Sequence, residues 1–223
     1  MVYCAFMIIK IPFADPRFPE SVKNLINPPK VVHVLCDDKI GANFTWPTKS
    51  LAVIGSRTMS DYGKKVVWDF MPRLVDAGVA VVSGLAEGID EESQRAVLKA
   101  GGVTVGVLGF GVMKLDDFSN KELGREIVKS RKGFLVSPFE PYLPASKWTF
   151  LERNRLIASL ADALLVIEAT QKSGCMSTVE AALELGKEVY AVPGSIFDYT
   201  SMGANELIKQ GAHLVNRVED LFS

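Results

Sequence analysis

Four short segments of this chain carry residue types that bind anions or aromatic rings. In Gly55-Ser56-Arg57-Thr58-Met59-Ser60, a glycine lets the backbone come close to a ligand and helix N-terminal amides can meet an anion. Arg57 can add a bidentate phosphate contact. The same letters also spell an ordinary strand-to-helix turn, with Ser60 as the helix N-cap and Arg57 in solvent. In Ser83-Gly84-Leu85-Ala86-Glu87-Gly88-Ile89-Asp90, two glycines precede an aspartate suited to cap the next helix, and the loop can form a second wall of the same pocket.

The third segment, Pro144 to Arg155, gathers Lys147, Arg153 and Arg155 around Trp148 and Phe150, with Asn154 between the arginines. Cations for phosphates beside aromatics for bases are what single-stranded nucleic acid asks of a surface. The alternative is an amphipathic helix start with Trp148 and Phe150 in the core and the cations exposed or paired with Glu152. In the fourth segment, Glu168 to Glu180, Ser173, Gly174 and neighbouring hydroxyls can line a phosphate site at a helix N-terminus, and Lys172 can supply a point charge. Gly109-Phe110-Gly111 lacks the third glycine of a dinucleotide fingerprint and reads as a glycine-rich loop.

Other chemistries find little footing. His33 and His213 sit in apolar, strand-like settings that suit structural histidines, so no Ser/His/Asp set forms, and Cys175 lacks a base and reads as a small buried thiol. Cys4, Cys36 and Cys175 show no metal-ligand or disulfide spacing, so neither a metal nor a cofactor is expected. Cysteine usage fits a reducing cytoplasm. The apolar start, Met1 to Ile11, is too short to span a bilayer and lacks the features of a signal peptide; it reads as a strand or docking segment. With 25 basic and 26 acidic residues the formal charge is -1, which excludes nucleic-acid binding by bulk positive charge and makes any anion site local.

These segments must be positioned by regular elements. Short apolar runs predict strands at Leu51–Ile54, Val79–Ser83, Val103–Leu108, Gly133–Ser137, Ala163–Glu168 and Glu188–Val192. Helical patterns fall between them near Ser60–Ala77, Glu91–Ala100, Lys121–Ser130, Phe150–Leu160, Thr178–Leu185 and Ala204–Gln210, with Gly78, Gly101 and Gly186 where C-caps belong. This alternation predicts an α/β protein with a doubly wound, mostly parallel sheet of extended Rossmann-like type. Residues 50–223 form that domain. Residues 1–49, rich in proline, form a lead-in packed on it, with a helix at Ser21–Ile26 and a strand at Val31–Leu35. In such a sheet, ligands gather beyond the carboxyl ends of the strands, where the four segments fall.

Taken together, Leu51 to Arg57, Val81 to Asp90, Arg153-Asn154-Arg155, Glu168-Ala169 with Ser173-Gly174, and Ala191-Val192-Pro193-Gly194 resemble the DprA/Smf family of DNA-processing proteins, in order and spacing over nearly the whole chain. Asp15 to Pro19 and Asn27-Pro28-Pro29 resemble the segment preceding the Rossmann-like domain there. The resemblance implies a non-catalytic binder of single-stranded DNA that dimerises and hands the strand to the recombinase RecA during transformation. Carried over by position, Gly55, Ser56 and Arg57 bind backbone phosphate, Lys147 is a second cation and Phe150 stacks on a base. Ser83, Gly84, Arg153, Asn154, Arg155, Ser173 and Gly174 complete the pocket, as DNA contacts or as loop supports.

Where that family usually has Ala-His, this chain has Ser93-Gln94, and Cys175-Met176-Ser177-Thr178 replaces the usual Ser-Leu-Ile-Thr. With the chain running from Met1 to Ser223, the expectation is the Rossmann-like core without N-terminal helical and C-terminal winged-helix modules. A second resemblance stays open: Ser173-Gly174-x-x-x-Thr178-x-Glu180 is similar to a loop of LOG-type nucleotide phosphoribohydrolases. It would make Glu180 an acid/base and Thr178 a phosphate ligand in a small-nucleotide pocket.

Overall fold

The apolar runs are too short and too uniformly hydrophobic to face water on either side, so they must lie inside a sheet covered by helices on both faces. The computed structural model, which describes residues 6–222, shows that arrangement. Nine strands form one sheet in the order β1-β2-β6-β5-β4-β3-β7-β8-β9: β1 Phe6–Pro12, β2 Val31–Asp37, β3 Ser50–Ile54, β4 Ala80–Ser83, β5 Thr104–Val107, β6 Phe134–Ser137, β7 Ala163–Val166, β8 Val189–Ala191 and β9 His213–Leu214. From β6 to β9 every pairing is parallel. The helices are α1 Glu20–Lys23, α2 Asp38–Gly41, α3 Asp61–Asp76, α4 Ile89–Lys99, α5 Lys121–Lys129, α6 Lys147–Leu160, α7 Met176–Glu184 and α8 Met202–Lys209.

Successive side chains of β3 alternate between the two layers. Leu51 and Val53 join Val67, Phe70, Met71 and Leu74 of α3 on one face. Ala52 and Ile54 join Leu156 and Ile157 of α6 and Val179 of α7 on the other. Each large side chain buried this way contributes roughly 1.5–3 kcal/mol relative to exposure. Gly78, Gly101 and Gly186 have φ of 73°, 77° and 66°, the left-handed geometry that ends a helix without penalty at glycine.

The lead-in contributes strands to the same sheet. β1 pairs antiparallel with β2, Ile9 opposite Val34, and β2 pairs antiparallel with β6, Val34 opposite Val136. The rings of Phe44, Trp46 and Phe134 meet edge-on at 5.0–5.5 Å, and Trp46 Nε1 donates to the Arg17 carbonyl at 2.7 Å. Cys4 and the first five residues of the expected Met1–Ile11 strand lie outside the described residues. The edge pair His213–Leu214 lies outside the predicted strands, though it matches the strand-like setting read for His213. His213 is exposed, its Nε2 2.6 Å from Glu188, which corrects its reading as a structural histidine in an apolar setting. Among the described residues no helix is long and apolar enough to cross a membrane.

His33, in β2, is 3 % exposed, with no hydrogen-bond partner at Nδ1, and burial holds its pKa below the ordinary 6.5. Well above pH 6.5 the ring is neutral in both states and costs nothing. Below it, the unfolded chain takes up a proton that the folded chain resists. The thermal midpoint should therefore fall as pH drops from about 7.5 through 6.5 and below, and His33→Leu should flatten that fall. An equal fall in the variant would assign the acid sensitivity to another group.

Candidate nucleic-acid interface

The chain leaves β3 for β4, β5 and β6 on one side, then returns through α6 to place β7 on the other. The loops after β3 and β7 therefore diverge, and a crevice opens between them at the carboxyl edge of the sheet. It forms a cleft of about 660 Å³ lined by Gly55, Ser56, Arg57 and Thr58 from the first loop and by Thr170, Ser173 and Gly174 from the second. The N-terminal half of α6 supplies the third wall with Lys147, Phe150 and Asn154.

The β3 turn is held from beneath. Ser60 caps α3 by accepting from Gly63 N at 3.1 Å. Ser60 N donates to Glu168 Oε2 at 3.0 Å, the Ser60 hydroxyl donates to Glu168 Oε1, and Ser56 N donates to the Glu168 carbonyl at 2.7 Å. Glu168 is 1 % exposed. Its role as a latch between the two loops was not evident from sequence, where it read as the end of an apolar strand. Ser56 is buried, with Thr58 N donating to its Oγ at 3.1 Å, so it shapes the turn and leaves Arg57 and Thr58 exposed.

Two buried side chains of opposite charge, Asp90 and Arg153, set the second wall by bracing the Gly84 turn. α4 starts at Ile89 with Gly88 at the cap position, so Asp90 is not the N-cap; it lies in the first turn and faces inward. Asp90 Oδ2 accepts from Gly84 N at 3.0 Å, while Arg153 Nη1 donates to the carbonyls of Gly84 at 2.5 Å and Val107 at 3.1 Å. Burial pushes the Asp90 carboxyl up, against the pull of Arg153. Burial also pushes Arg153 down to about 10; Asp90 opposes this and Arg57 adds to it. Gly84 has no room for a side chain, because a Cβ would run into the Arg153 guanidinium. Ser83 is fully buried and donates to the Val53 carbonyl at 2.7 Å. Ser83, Gly84 and Arg153 thus hold loops, with Arg153 only 4 % exposed at the cleft floor.

On α6, Ser146 and Thr149 form a reciprocal capping box. Lys147 stands exposed with no hydrogen bond or ion pair among the described residues. Phe150 is half-buried, its ring resting on Gly109, where a Cβ would come within 2.5 Å of Cδ1; the Gly109-Phe110-Gly111 loop is a seat for this ring. Trp148 is exposed against Phe139 and is not a core residue. Asn154 Nδ2 donates to the Gly174 carbonyl at 3.3 Å and to Ser177 Oγ at 2.8 Å, pinning the Ser173-Gly174 loop to α6. Arg155 points away from the cleft: it donates to the Ile26 carbonyl at 2.5 Å and pairs with Glu152 at 3.6 Å. Lys172 is exposed and outside the cleft lining, as is Glu180. Burial holds the Cys175 thiol up at about 11, so it stays protonated near neutral pH.

A family model described as DNA recombination-mediator protein A matches residues 10–223. The chain belongs to this family, the DprA/Smf DNA-processing proteins. It is 35% identical over 212 residues to the DNA processing protein DprA of Bacillus subtilis, covering 95% of this chain and 69% of that protein. DprA of Streptococcus pneumoniae superposes with a TM-score of 0.84 at 33% identity, over 96% of this chain and 73% of that one. The Helicobacter pylori DNA processing protein A, whose structure concerns its single-stranded DNA binding mode, superposes at 0.80 with 26% identity, over 98% and 94%. The chain spans between 44% and 69% of the length of the curated DprA/Smf relatives it matches.

The division of this DprA/Smf site into scaffold and free cations is testable by urea denaturation. Arg153→Met leaves the Gly84 and Val107 carbonyls without their donor and buried Asp90 without the opposing charge, and should cost about 3–5 kcal/mol. Arg57→Ala removes an exposed side chain and should stay within about 0.5 kcal/mol.

Proposed function

We propose that this chain binds single-stranded DNA along the cleft and does so without catalysing a reaction. One observation carries the reading: Arg57 and Lys147, exposed and unpaired, stand on facing walls with the half-buried ring of Phe150 on the same lining. Backbone phosphates would follow the cations and the Gly55–Arg57 turn, while a base stacks on Phe150. Stacking of this kind tolerates any sequence, and the phosphate contacts make affinity fall steeply with salt. Ser173, Gly174 and Asn154 would shape the far wall, and Lys172 would add charge outside it. Membership of the DprA/Smf family and the Helicobacter pylori relative support this reading.

From the same family we extend the proposal to a cytoplasmic protein of DNA recombination and transformation that works as a homodimer and passes its strand to RecA. The exposed edge strand β9 with its uncovered Leu214, and the exposed Ile196 and Phe197 of the loop after β8, suit contact with a second copy. A mononucleotide hydrolase built on Glu180 has less support, because that carboxylate lies exposed on α7 outside the cleft.

Fluorescence anisotropy of labelled oligo-dT and of matched duplex across a salt series tests the reading, with free nucleotides as competitors. The single strand should be preferred. Arg57→Ala should lower the salt slope by about 0.7–1 and Phe150→Ala should cost about 1–3 kcal/mol. Parent-like binding by both variants at matched salt would refute the assigned interface, and stabilisation by a mononucleotide without polymer binding would favour the small-ligand pocket.

A further inference from the structure

A recess of about 120 Å³ opens off the cleft between the β4–α4 loop and α6, on the scale of a single nucleobase. Arg57, Glu87, Phe118, Ser119, Phe150 and Arg153 line it, and it shares Arg57, Phe150 and Arg153 with the cleft. Phe150 therefore borders both spaces. Phe118 is braced in turn by the Phe110 ring at 5.0 Å.

The loop that brings Glu87 here is built to hold one shape. Leu85, fully buried, has φ of 53°, a left-handed conformation that a non-glycine residue keeps only where its surroundings enforce it, commonly at ligand clamps. Leu85 N donates to Gln94 Oε1 at 3.2 Å, Asn120 Nδ2 donates to the Leu85 carbonyl at 2.9 Å, and Glu91 N donates to the Ala86 carbonyl at 3.0 Å. Gln94 is anchored on β5 by donating to Thr104 Oγ1 at 3.2 Å. The Glu87 side chain itself is exposed and makes no hydrogen bond or ion pair among the described residues.

A free carboxylate beside a phosphate-binding arginine opposes a polyanion unless it meets hydrogen-bond donors of the ligand. Unstacked bases offer their Watson–Crick edges for such readout. Guanine presents adjacent N1–H and N2–H donors that match the two oxygens of a carboxylate. Thymine presents one N–H flanked by two carbonyls, which repel it. We propose that this recess is a base-reading subsite in which Glu87 selects guanine over thymine in the bound strand. The inference rests on the single-strand reading above and adds sequence preference to it.

The test compares anisotropy titrations of oligo-dT with the same oligonucleotide carrying isolated dG, or isolated deoxyinosine, at matched positions and salt. The parent should bind the dG strand about tenfold more tightly than oligo-dT, with deoxyinosine, which lacks the N2 amine, in between. Glu87→Gln and Glu87→Ala should each bring the dG-to-dT affinity ratio to about one, with heat unfolding confirming that they fold. Equal affinity of the parent for all three strands, or a dG preference that survives in both variants, would overturn the subsite and leave single-strand binding standing. Failure of the parent to bind any strand would overturn both.

Discussion

The clamping of the Gly84 turn between buried Asp90, which accepts from its amide, and buried Arg153, which donates to its carbonyl, is the interaction on which the site depends. It lies where the ends of β4 and β5, the start of α4 and the middle of α6 converge. One guanidinium nitrogen ties the Gly84 and Val107 carbonyls together. Burying two opposite charges is expensive, and such an arrangement is weak as a source of stability against well-packed apolar residues. Its value is geometric: a planar fork aimed at fixed carbonyls permits one placement of α6 over the sheet. Phe150 and Lys147 ride on that helix, and Gly84 must lack a side chain for the fork to reach its target.

Glu168 plays the matching part across the crevice. Reversal of strand order at β3 and β7 opens the space, but the loops stay in register because one buried carboxylate accepts from both the amide and the hydroxyl of Ser60. A negative charge is thereby spent on the helix start from below, while the upper face of the turn keeps Arg57 free. Ser56 and Ser83 do similar work with neutral bonds to backbone carbonyls. The polar residues of the motifs divide by direction: those facing into the protein fix loops, and those facing out are left for a ligand.

That division explains what could be read from sequence. Element types and order were legible because apolar runs and helical periods repeat along the chain, and glycines at 78, 101 and 186 marked helix ends in advance. The position of the cleft followed from the strand-helix order. Side-chain direction did not. Arg153, Asn154 and Arg155 are consecutive, yet one turns to the floor, one pins a loop and one pairs beneath the lead-in. Helical spacing of roughly 100° per residue sends neighbours to different surroundings, and only the packing of β4, β5 and the Ile26 carbonyl decides what each meets. Asp90 misled for the same reason, since a carboxylate near a helix start suits either a cap or a buried partner. Gln94, a departure from the usual histidine, proves to be a loop anchor, while the neighbouring Ser93 Oγ is buried without a hydrogen-bond partner.

A chain with formal charge -1 can still present a local positive field, because its cations are unevenly paired. Arg17, Arg73, Arg95, Arg125 and Arg217 each face a carboxylate at 2.6–3.4 Å, mostly within a few residues along the chain. These exposed pairs add little stability, but they cancel charge over much of the surface. Arg57 and Lys147 have no such partner among the described residues; Asp90 and Glu168 beneath them are buried and already engaged, and the exposed Glu87 shares the adjoining recess with Arg57 without pairing to it. The potential is therefore concentrated where a concave wall of low dielectric strengthens it. Net charge is a poor guide to polyanion binding in this architecture, and the distribution of unpaired cations over the carboxyl edge of the sheet is the relevant quantity.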